Sequence, residues 1–86
     1  MLLNIGTSNA NPIMFYTGGI AAANRRWQIT ATGALHGFPF VFANIATVLT
    51  ADGELAYCSD CTIANPCAGG GTGAIAKRLN GVNVCN

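Results

Sequence analysis

YCSDCTIANPCAGGGTGAIAKRLNGVNVCN, residues 57–86, is the most strongly specified part of this chain. It contains all four cysteines, and it has Asn80-Gly81 between two strand-like segments, Ala74–Leu79 and Val82–Cys85. A type I′ turn needs a positive φ at both central residues, and Asn followed by Gly meets that requirement best. The sequence therefore predicts a β-hairpin that closes at Asn80-Gly81.

A two-residue turn also fixes which residues oppose each other on the two strands. The predicted pairs, counted outward from the turn, are Leu79 with Val82, Arg78 with Asn83, Lys77 with Val84 and Ala76 with Cys85. Because side chains alternate along a strand, one face of the hairpin should be apolar and the other mixed. The apolar face holds Ile75, Leu79, Val82, Val84 and the stem of Lys77. The mixed face holds Ala76, Arg78, Asn83 and Cys85.

Composition limits how this chain can fold. Its 86 residues are 51% hydrophobic and only 8% charged, whereas about 25% of residues in an ordinary soluble domain are charged. A chain of this length buries little core alone, and small domains usually add disulfides, a metal or an oligomeric interface. The many Ala, Gly, Thr and Asn residues suit close packing about a symmetry axis. We therefore expect an obligate homo-oligomer.

The distribution of charge argues against two classes of partner. A net charge of +1 with four basic residues leaves no basic surface for nucleic acid or anionic lipid. Residues 1–24 and 27–51 lack Asp, Glu, Lys and Arg, but Pro, Gly, Asn or Gln interrupts each run before it reaches the roughly 18 apolar residues of a membrane span. Met1 is not followed by a basic segment, so we expect no signal peptide. The expectation is neither a nucleic-acid partner nor membrane insertion.

The first half of the chain shows strand and turn signals at short intervals. Residues 13–17 form a short apolar segment that ends at two glycines. Residues 26–31 alternate between apolar and polar, which is typical of a half-buried strand with Trp27 and Ile29 on its covered side. A Thr-Gly turn and a short strand at residues 34–36 follow. These signals predict an all-β fold of short, mainly antiparallel strands and hairpins.

A segment rich in phenylalanine separates this half from the half that contains the cysteines. Pro39 argues against a central strand or a helix interior, so Phe38, Phe40 and Phe42 should pack at the joint between two small β-modules. Residues 46–51 fit either a helical turn or a loop. After them, an Asp-Gly turn leads into the next strand.

These motifs, in this order, resemble a known family. Residues 4–36, with Arg-Trp-Gln-Ile-Thr and then Thr-Gly-Ala-Leu, are similar to the β-structured repeats near the distal ends of bacteriophage tail fibres and related trimeric phage appendages. Residues 40–86, with Tyr-Cys-Ser-Asp-Cys, a Gly-rich loop and Lys-Arg-Leu-Asn-Gly, resemble a small C-terminal module of phage fibre proteins. One position departs from this pattern, because Asn83 stands where such modules usually have Trp.

The resemblance implies a domain organisation and a function. Residues 1–38 would form a β-stalk-like repeat and residues 39–86 a cysteine-containing tip module, within an intertwined homotrimer. The protein would be structural and adhesive and not an enzyme, located in the virion or outside the cell, and it would attach to a cell-surface glycan or host receptor. The residues expected at a binding face near the tip are Tyr57, Asp60, Asn65, Arg78 and Asn83.

Four cysteines in a small chain with few charges favour two disulfides, for which three pairings exist. If the strand that ends at Cys58 lies beside the last strand, Cys58 pairs with Cys85 and Cys61 pairs with Cys67. We predict this pairing. Four cysteines can also hold Zn²⁺, and Cys58-x-x-Cys61 is a normal half-site, but a second Cys-x-x-Cys is missing. Free buried thiols are a further alternative.

The sequence predicts no catalytic site. The Gly-rich loop at residues 69–73 is not followed directly by the Lys of a phosphate-binding loop, so it should only lead into the hairpin. Asp52, Glu54 and Asp60 are the only acids, and nothing positions two of them across a cleft as glycoside hydrolysis requires. His36 should be hydrogen-bonded or exposed, although in a trimer three copies at the axis could bind a metal or an anion. We expect no cofactor and no resident metal.

Two functions of other classes fit the same sequence. The chain could be an extracellular subunit that assembles itself into fibres, with its apolar N-terminal half joining one copy to the next. It could also be a small binding module that zinc stabilises through the four cysteines. Discrete trimers would favour the phage-like interpretation, whereas filaments or bound zinc would favour these alternatives.

Overall fold

The structure, a computed structural model, describes residues 5–7 and 9–86. These residues fall into two compact units, divided in the sequence between Phe38 and Pro39. Both units consist mainly of short antiparallel strands, which confirms the predicted β-class, and one short helix is present in the second unit. The prediction about a signal peptide concerns Met1 and the three residues after it, which lie outside the described residues.

Three antiparallel strands form the sheet of the first unit. Strand β1 spans Ile13–Tyr16, β2 spans Arg25–Ile29 and β3 spans Leu35–Gly37, and β2 lies in the centre. A single 3₁₀ turn, Ala22–Asn24, leads into β2. The chain then turns back to β3, with the N–H of Thr30 donating to the carbonyl of Ala34 at 2.8 Å. The alternation in residues 26–31 predicted β2, and the short strand signals at residues 13–17 and 34–36 predicted β1 and β3.

The cross-strand register sorts the side chains of this sheet into two faces. Phe15 lies opposite Trp27, Ile13 opposite Ile29, and Ile29 opposite Leu35. Opposed residues share a face, so these five apolar side chains lie together. We call them the first-unit apolar face. Despite this, no apolar side chain of the first unit is buried within the part of the chain that the structure describes.

A one-turn helix and five short strands form the second unit. Helix α1 spans Ile45–Val48, directly after a 3₁₀ turn at Phe42–Asn44. The segment that the sequence left between helix and loop therefore begins as a helix. The strands are β4 (Leu55–Cys58), β5 (Cys61–Thr62), β6 (Ala68–Gly69), β7 (Ala74–Leu79) and β8 (Val82–Cys85). Strands β4, β7 and β8 form one antiparallel sheet with β7 in the centre, and β5 pairs with β6.

The hairpin of β7 and β8 forms as predicted. Asn80 and Gly81 have φ values of 52° and 77°, the positive angles that a type I′ turn needs at both central positions. All four predicted pairs are present, from Leu79 opposite Val82 to Ala76 opposite Cys85. The register and the division of side chains between the two faces are therefore confirmed.

The core of the second unit lies on the mixed face of this hairpin, and not on the apolar face. The buried residues are Ile45, Leu49, Ala74, Ala76 and the four cysteines. Phe40 and Phe42 pack against this core, whereas Phe38 belongs to the first unit. The small side chains on the core side of β7 allow the helix and the disulfides to approach the sheet closely. The apolar face of the hairpin is left exposed.

The predicted disulfide pairing is wrong. The observed bonds are Cys58–Cys61 and Cys67–Cys85, with Cα atoms 5.5 and 5.0 Å apart. The prediction required β4 to lie beside β8, but β7 lies between them. Two strand spacings, about 9.6 Å, then separate Cys58 from Cys85, which is too far for a disulfide. Cys67 reaches Cys85 instead, because its backbone N–H donates to the carbonyl of Asn83 on β8 at 2.8 Å.

Loss of the Cys67–Cys85 disulfide should destabilise the protein more than loss of Cys58–Cys61. The first bond joins residues 18 apart and the second joins residues 3 apart, for which the entropy of the unfolded chain predicts about 3 and about 1.6 kcal/mol. All four cysteines are buried, so the two double Cys→Ala variants control for each other's cavities. Urea unfolding should show a free energy about 1.5 kcal/mol lower for the Cys67/Cys85 variant. Equal losses would contradict this account.

Candidate functional site

The five residues predicted at a binding face do not form one site. Tyr57 lies opposite Ile75, on the exposed apolar face of the β4-β7-β8 sheet. Arg78 and Asn83 oppose each other on the other face of that sheet. Asp60 lies in the turn between β4 and β5, and Asn65 is exposed in the loop between β5 and β6. The structure brings together only Arg78 and Asn83.

Contacts with two turns occupy Arg78. Its Nε lies 3.5 Å from Oδ1 of Asp52, and the same oxygen accepts a hydrogen bond from the N–H of Gly81 at 2.8 Å. The backbone of Arg78 also bonds both ways, with its carbonyl accepting from Gly53 and its N–H donating to the carbonyl of Glu54. Arg78 therefore ties the Asp-Gly turn before β4 to the hairpin turn after β7.

Backbone donors hold Asp60 in place. Its Oδ1 accepts the N–H of Phe42 at 2.7 Å, and its carbonyl accepts the N–H of Gly71 at 2.9 Å. These bonds connect the turn to the 3₁₀ segment on one side and to the Gly-rich loop on the other. Asp60 is therefore a structural residue of the second unit, with one carboxylate oxygen committed to the backbone.

The side chain of Asn83 has a buried oxygen, Oδ1, that accepts no hydrogen bond from the described residues. Arg78, which opposes Asn83 across the hairpin, has its Nε directed to Asp52. A buried acceptor without a donor costs free energy, and the structure gives no compensating contact for this oxygen.

Two glycines of the Gly-rich loop are required by close contacts. A Cβ at Gly71 would collide with the backbone of Cys61 and Thr62. A Cβ at Gly73 would lie 2.8 Å from the hydroxyl oxygen of Tyr57, and the φ of Gly73 is +131°. The N–H groups of both glycines also donate to backbone carbonyls, those of Asp60 and Cys61. The loop is therefore packed against the β4–β5 turn, and Tyr57 covers its end.

Glu54 accepts hydrogen bonds from the turn that precedes β4. The N–H groups of Thr50 and Ala51 donate to its Oε1 at 2.7 and 3.1 Å. These two backbone bonds, the bond to Thr50 first, lower the pKa of the Glu54 carboxyl below its ordinary value. The ionised carboxylate therefore stabilises this turn.

One group of side chains has the composition of a metal site but not the chemistry. Cys58, Asp60 and Cys61 are the only such group in residues 5–7 and 9–86. Cys58 and Cys61 are joined in a disulfide, as are Cys67 and Cys85, so no thiolate is present to bind Zn²⁺. In this oxidised form the four sulfurs are therefore not available as zinc ligands.

A second group of polar and aromatic side chains lies on the first unit, and it includes none of the five residues predicted at the binding face. It occupies the face of the β1-β2-β3 sheet opposite the first-unit apolar face. Its members are Met14, Tyr16, Arg25, Gln28, His36 and Phe38, and we call them the first-unit platform. The alternation of residues 26–31 puts Gln28 on this face, but Arg25 arrives through a β-bulge that the sequence does not show.

Comparison with known proteins gives no relative. No family model, no curated protein and no solved structure matches the chain. As for membranes, the described segments include no helix with the length and hydropathy needed to cross a bilayer.

Replacing Gly71 by Ala should destabilise the protein strongly, by at least about 3 kcal/mol, because the new methyl group meets backbone atoms that cannot move aside. Gly70 is the matched control. Its φ is +78°, but a Cβ there meets nothing within 4 Å, so Gly70→Ala should cost only about 1 kcal/mol of backbone strain. Urea unfolding of both variants would test this, and a smaller loss for Gly71→Ala would show that the loop does not pack on Cys61.

The Glu54→Gln variant should lose stability in a pH-dependent way. Because the pKa of Glu54 is lowered on folding, its carboxylate stabilises the native state above the unfolded-state pKa of about 4.3, and this stabilisation is lost as the pH falls through the folded-state pKa. The variant should therefore be less stable than the wild type at pH 7, and the difference should shrink below about pH 4. Thermal unfolding at several pH values measures it. A difference that stays constant with pH would show that shape, and not charge, is responsible.

Proposed function

We propose that this protein is a structural and adhesive subunit, similar to the distal part of a phage tail fibre, which forms a homotrimer and attaches to a host cell surface. The observation that supports this proposal most directly is the first-unit apolar face. Leu35 and Phe15 on that face are 66% and 49% exposed. A three-stranded sheet needs a covered hydrophobic face to be stable in water.

The chemistry of that face favours identical copies as its cover. Its five residues are all uncharged, so copies that meet through them do not bring like charges together. Three such faces around one axis would bury one another and supply the core that the first unit lacks. The low charge of the chain, 8% of residues, fits a protein with much of its surface in an interface.

The second unit supports a location outside the reducing cytosol. Both of its disulfides are buried within the core, and disulfides persist in oxidising surroundings such as the exterior of a virion or cell.

The carboxylates support a structural role. Asp52, Glu54 and Asp60 each accept hydrogen bonds from backbone N–H groups of this chain.

A second candidate function is a subunit of an extracellular self-assembling fibre. One observation favours it: the second unit also has an exposed apolar face. Its side chains Leu55, Ile75, Leu79 and Val82 are between 41% and 51% exposed. Two different apolar faces on one chain can join head to tail, and such contacts produce open filaments unless the rotation closes.

Charge substitutions on the two faces should separate these functions. For the trimer, native mass spectrometry should give three chains for the wild type, and Leu35→Lys should yield monomers because it places a charge in the interface. Leu55→Lys should remain trimeric. In a filament joined through both faces, Leu55→Lys would also abolish assembly. Ile20→Lys is the matched control for added charge, since Ile20 is 89% exposed in a loop.

Attachment is tested by binding of the labelled protein to bacterial cells. The trimer should dissociate from cells at least about tenfold more slowly than the Leu35→Lys monomer, because three linked copies bind with avidity. A wild-type protein that is monomeric at micromolar concentration would contradict the trimer. A trimer that no bacterial surface retains would contradict attachment.

A further inference from the structure

The first-unit platform is assembled by the pairing of three strands. Met14, Gln28 and His36 oppose one another across β1, β2 and β3. A second row beside them contains Tyr16, which opposes Arg25. Phe38 completes this row, because its N–H donates to the carbonyl of Arg26 on β2. The platform is therefore contiguous and belongs to one chain.

A β-bulge places Arg25 on this side of the sheet. The register shifts between Phe15 and Tyr16, so that Arg26 has no partner on β1 and Arg25 pairs with Tyr16. A bulge of one residue reverses the direction of the side chains beyond it. Arg25 thereby lies over the ring of Phe38, with its Cζ 4.9 Å from the ring centroid.

The positive charge of Arg25 is not balanced by a carboxylate. All three acids of the chain lie between residues 52 and 60. Of the described residues, only Arg78 makes an ion pair. Arg25 donates from Nε to the carbonyl of Ala22 at 3.3 Å, and Nη1 lies 3.8 Å from the sulfur of Met14. A half-buried guanidinium with such weak partners can still donate to an anion, and planar carboxylate or phosphate groups suit it best.

Beside the guanidinium of Arg25, His36 adds a hydrogen-bond donor and Gln28 adds an acceptor. Nε2 of Gln28 lies 3.0 Å from Nδ1 of His36. Because an amide nitrogen only donates, Nδ1 is the acceptor, and the proton of the neutral imidazole is on Nε2. His36 is exposed, so Nε2–H can donate to a ligand while Oε1 of Gln28 can accept from it. The imidazole is held in this orientation by stacking on Phe38, with ring centroids 5.3 Å apart.

We propose that the first-unit platform binds an acidic saccharide. Its carboxylate or phosphate group binds Arg25, its hydroxyl groups bind His36 and Gln28, and its ring lies against Tyr16, which is partly exposed. A sugar fits better than a nucleic acid, because a polyanion needs a cluster of basic residues and the chain has a net charge of only +1. This inference gives a ligand class to the attachment function proposed above and rests on it.

His36 supplies a direct readout, because it is the single histidine of the chain. Its ring-proton resonances can be followed by NMR in the full chain at pH 7.5 without ambiguity of assignment. The probes are glucuronic acid, glucose 6-phosphate, uridine 5′-monophosphate and, as the neutral control, glucose. Glucuronic acid or glucose 6-phosphate should shift these resonances saturably, and glucose should need at least about a tenfold higher concentration. Tighter binding of glucuronic acid would identify the anionic group as a carboxylate, and tighter binding of glucose 6-phosphate would identify it as a phosphate.

Two variants make the test specific. Arg25→Gln should weaken binding of the acidic sugar at least about tenfold, to the level of glucose. Arg26→Gln makes the same change of charge at the neighbouring residue, whose Nε bonds to Thr17 at 2.8 Å, and it should change binding by less than about twofold.

Several results would overturn the proposal. One is an equal loss of affinity for the acidic sugar in Arg25→Gln and Arg26→Gln. Others are glucose binding as tightly as the acidic sugars, uridine 5′-monophosphate binding more tightly than they do, or no shift of the His36 resonances with any probe. Failure of the platform is distinct from failure of the proposed function. Cells that bind Arg25→Gln as well as the wild type would remove the platform and leave attachment intact, whereas trimers that no cell binds would remove attachment and leave the sugar titration interpretable.

Discussion

The Cys67–Cys85 disulfide is the cross-link on which the second unit depends, because it holds a loop against the outer edge of the sheet. Ala64 and Cys85 exchange two backbone hydrogen bonds of 3.0 and 2.9 Å beside it. At the opposite edge, Phe40 donates to Tyr57 and accepts from Ser59 on or beside β4. Unpaired strand edges promote association with other chains, and here loops occupy both. Assembly of the kind proposed above would therefore use the faces of the sheet and not its edges.

The sheet of the second unit has its larger apolar side chains on its exposed face, and the disulfides in the core explain this arrangement. A core made of cystines, alanines and two aliphatic side chains is thin, so the larger apolar residues of the hairpin have no place in it. Ile75, Leu79 and Val82 consequently lie outward. The first unit has no cysteine, and it has no core of its own, since none of its described apolar side chains is buried. The chain gains internal order from covalent bonds in one half, and in the proposed trimer the other half would gain it from neighbouring copies.

Local signals predicted local structure, and the failures concern long-range contacts. Asn80-Gly81 determines a turn and, through its two-residue length, the whole register of β7 and β8. The period of two in residues 26–31 likewise predicted β2. The disulfide pairing depended on whether β4 lies beside β8 or beside β7, which no local pattern encodes. For the same reason Tyr57 and Arg78 were assigned to one binding face, although the pairing of β4 with β7 puts them on opposite sides.

The use of charge differs between the two units in a way that follows from their structure. In the second unit, many backbone N–H groups lie in turns with no strand partner, and carboxylates replace the missing carbonyls at Gly81, Thr50 and Phe42. Charges used in this way cannot also serve a ligand without loss of order. The first unit pairs much of its backbone within a three-stranded sheet, and none of its residues is acidic. Its arginines therefore retain donor capacity, which favours the proposed anion site on the β1-β2-β3 sheet over a site at the hairpin end.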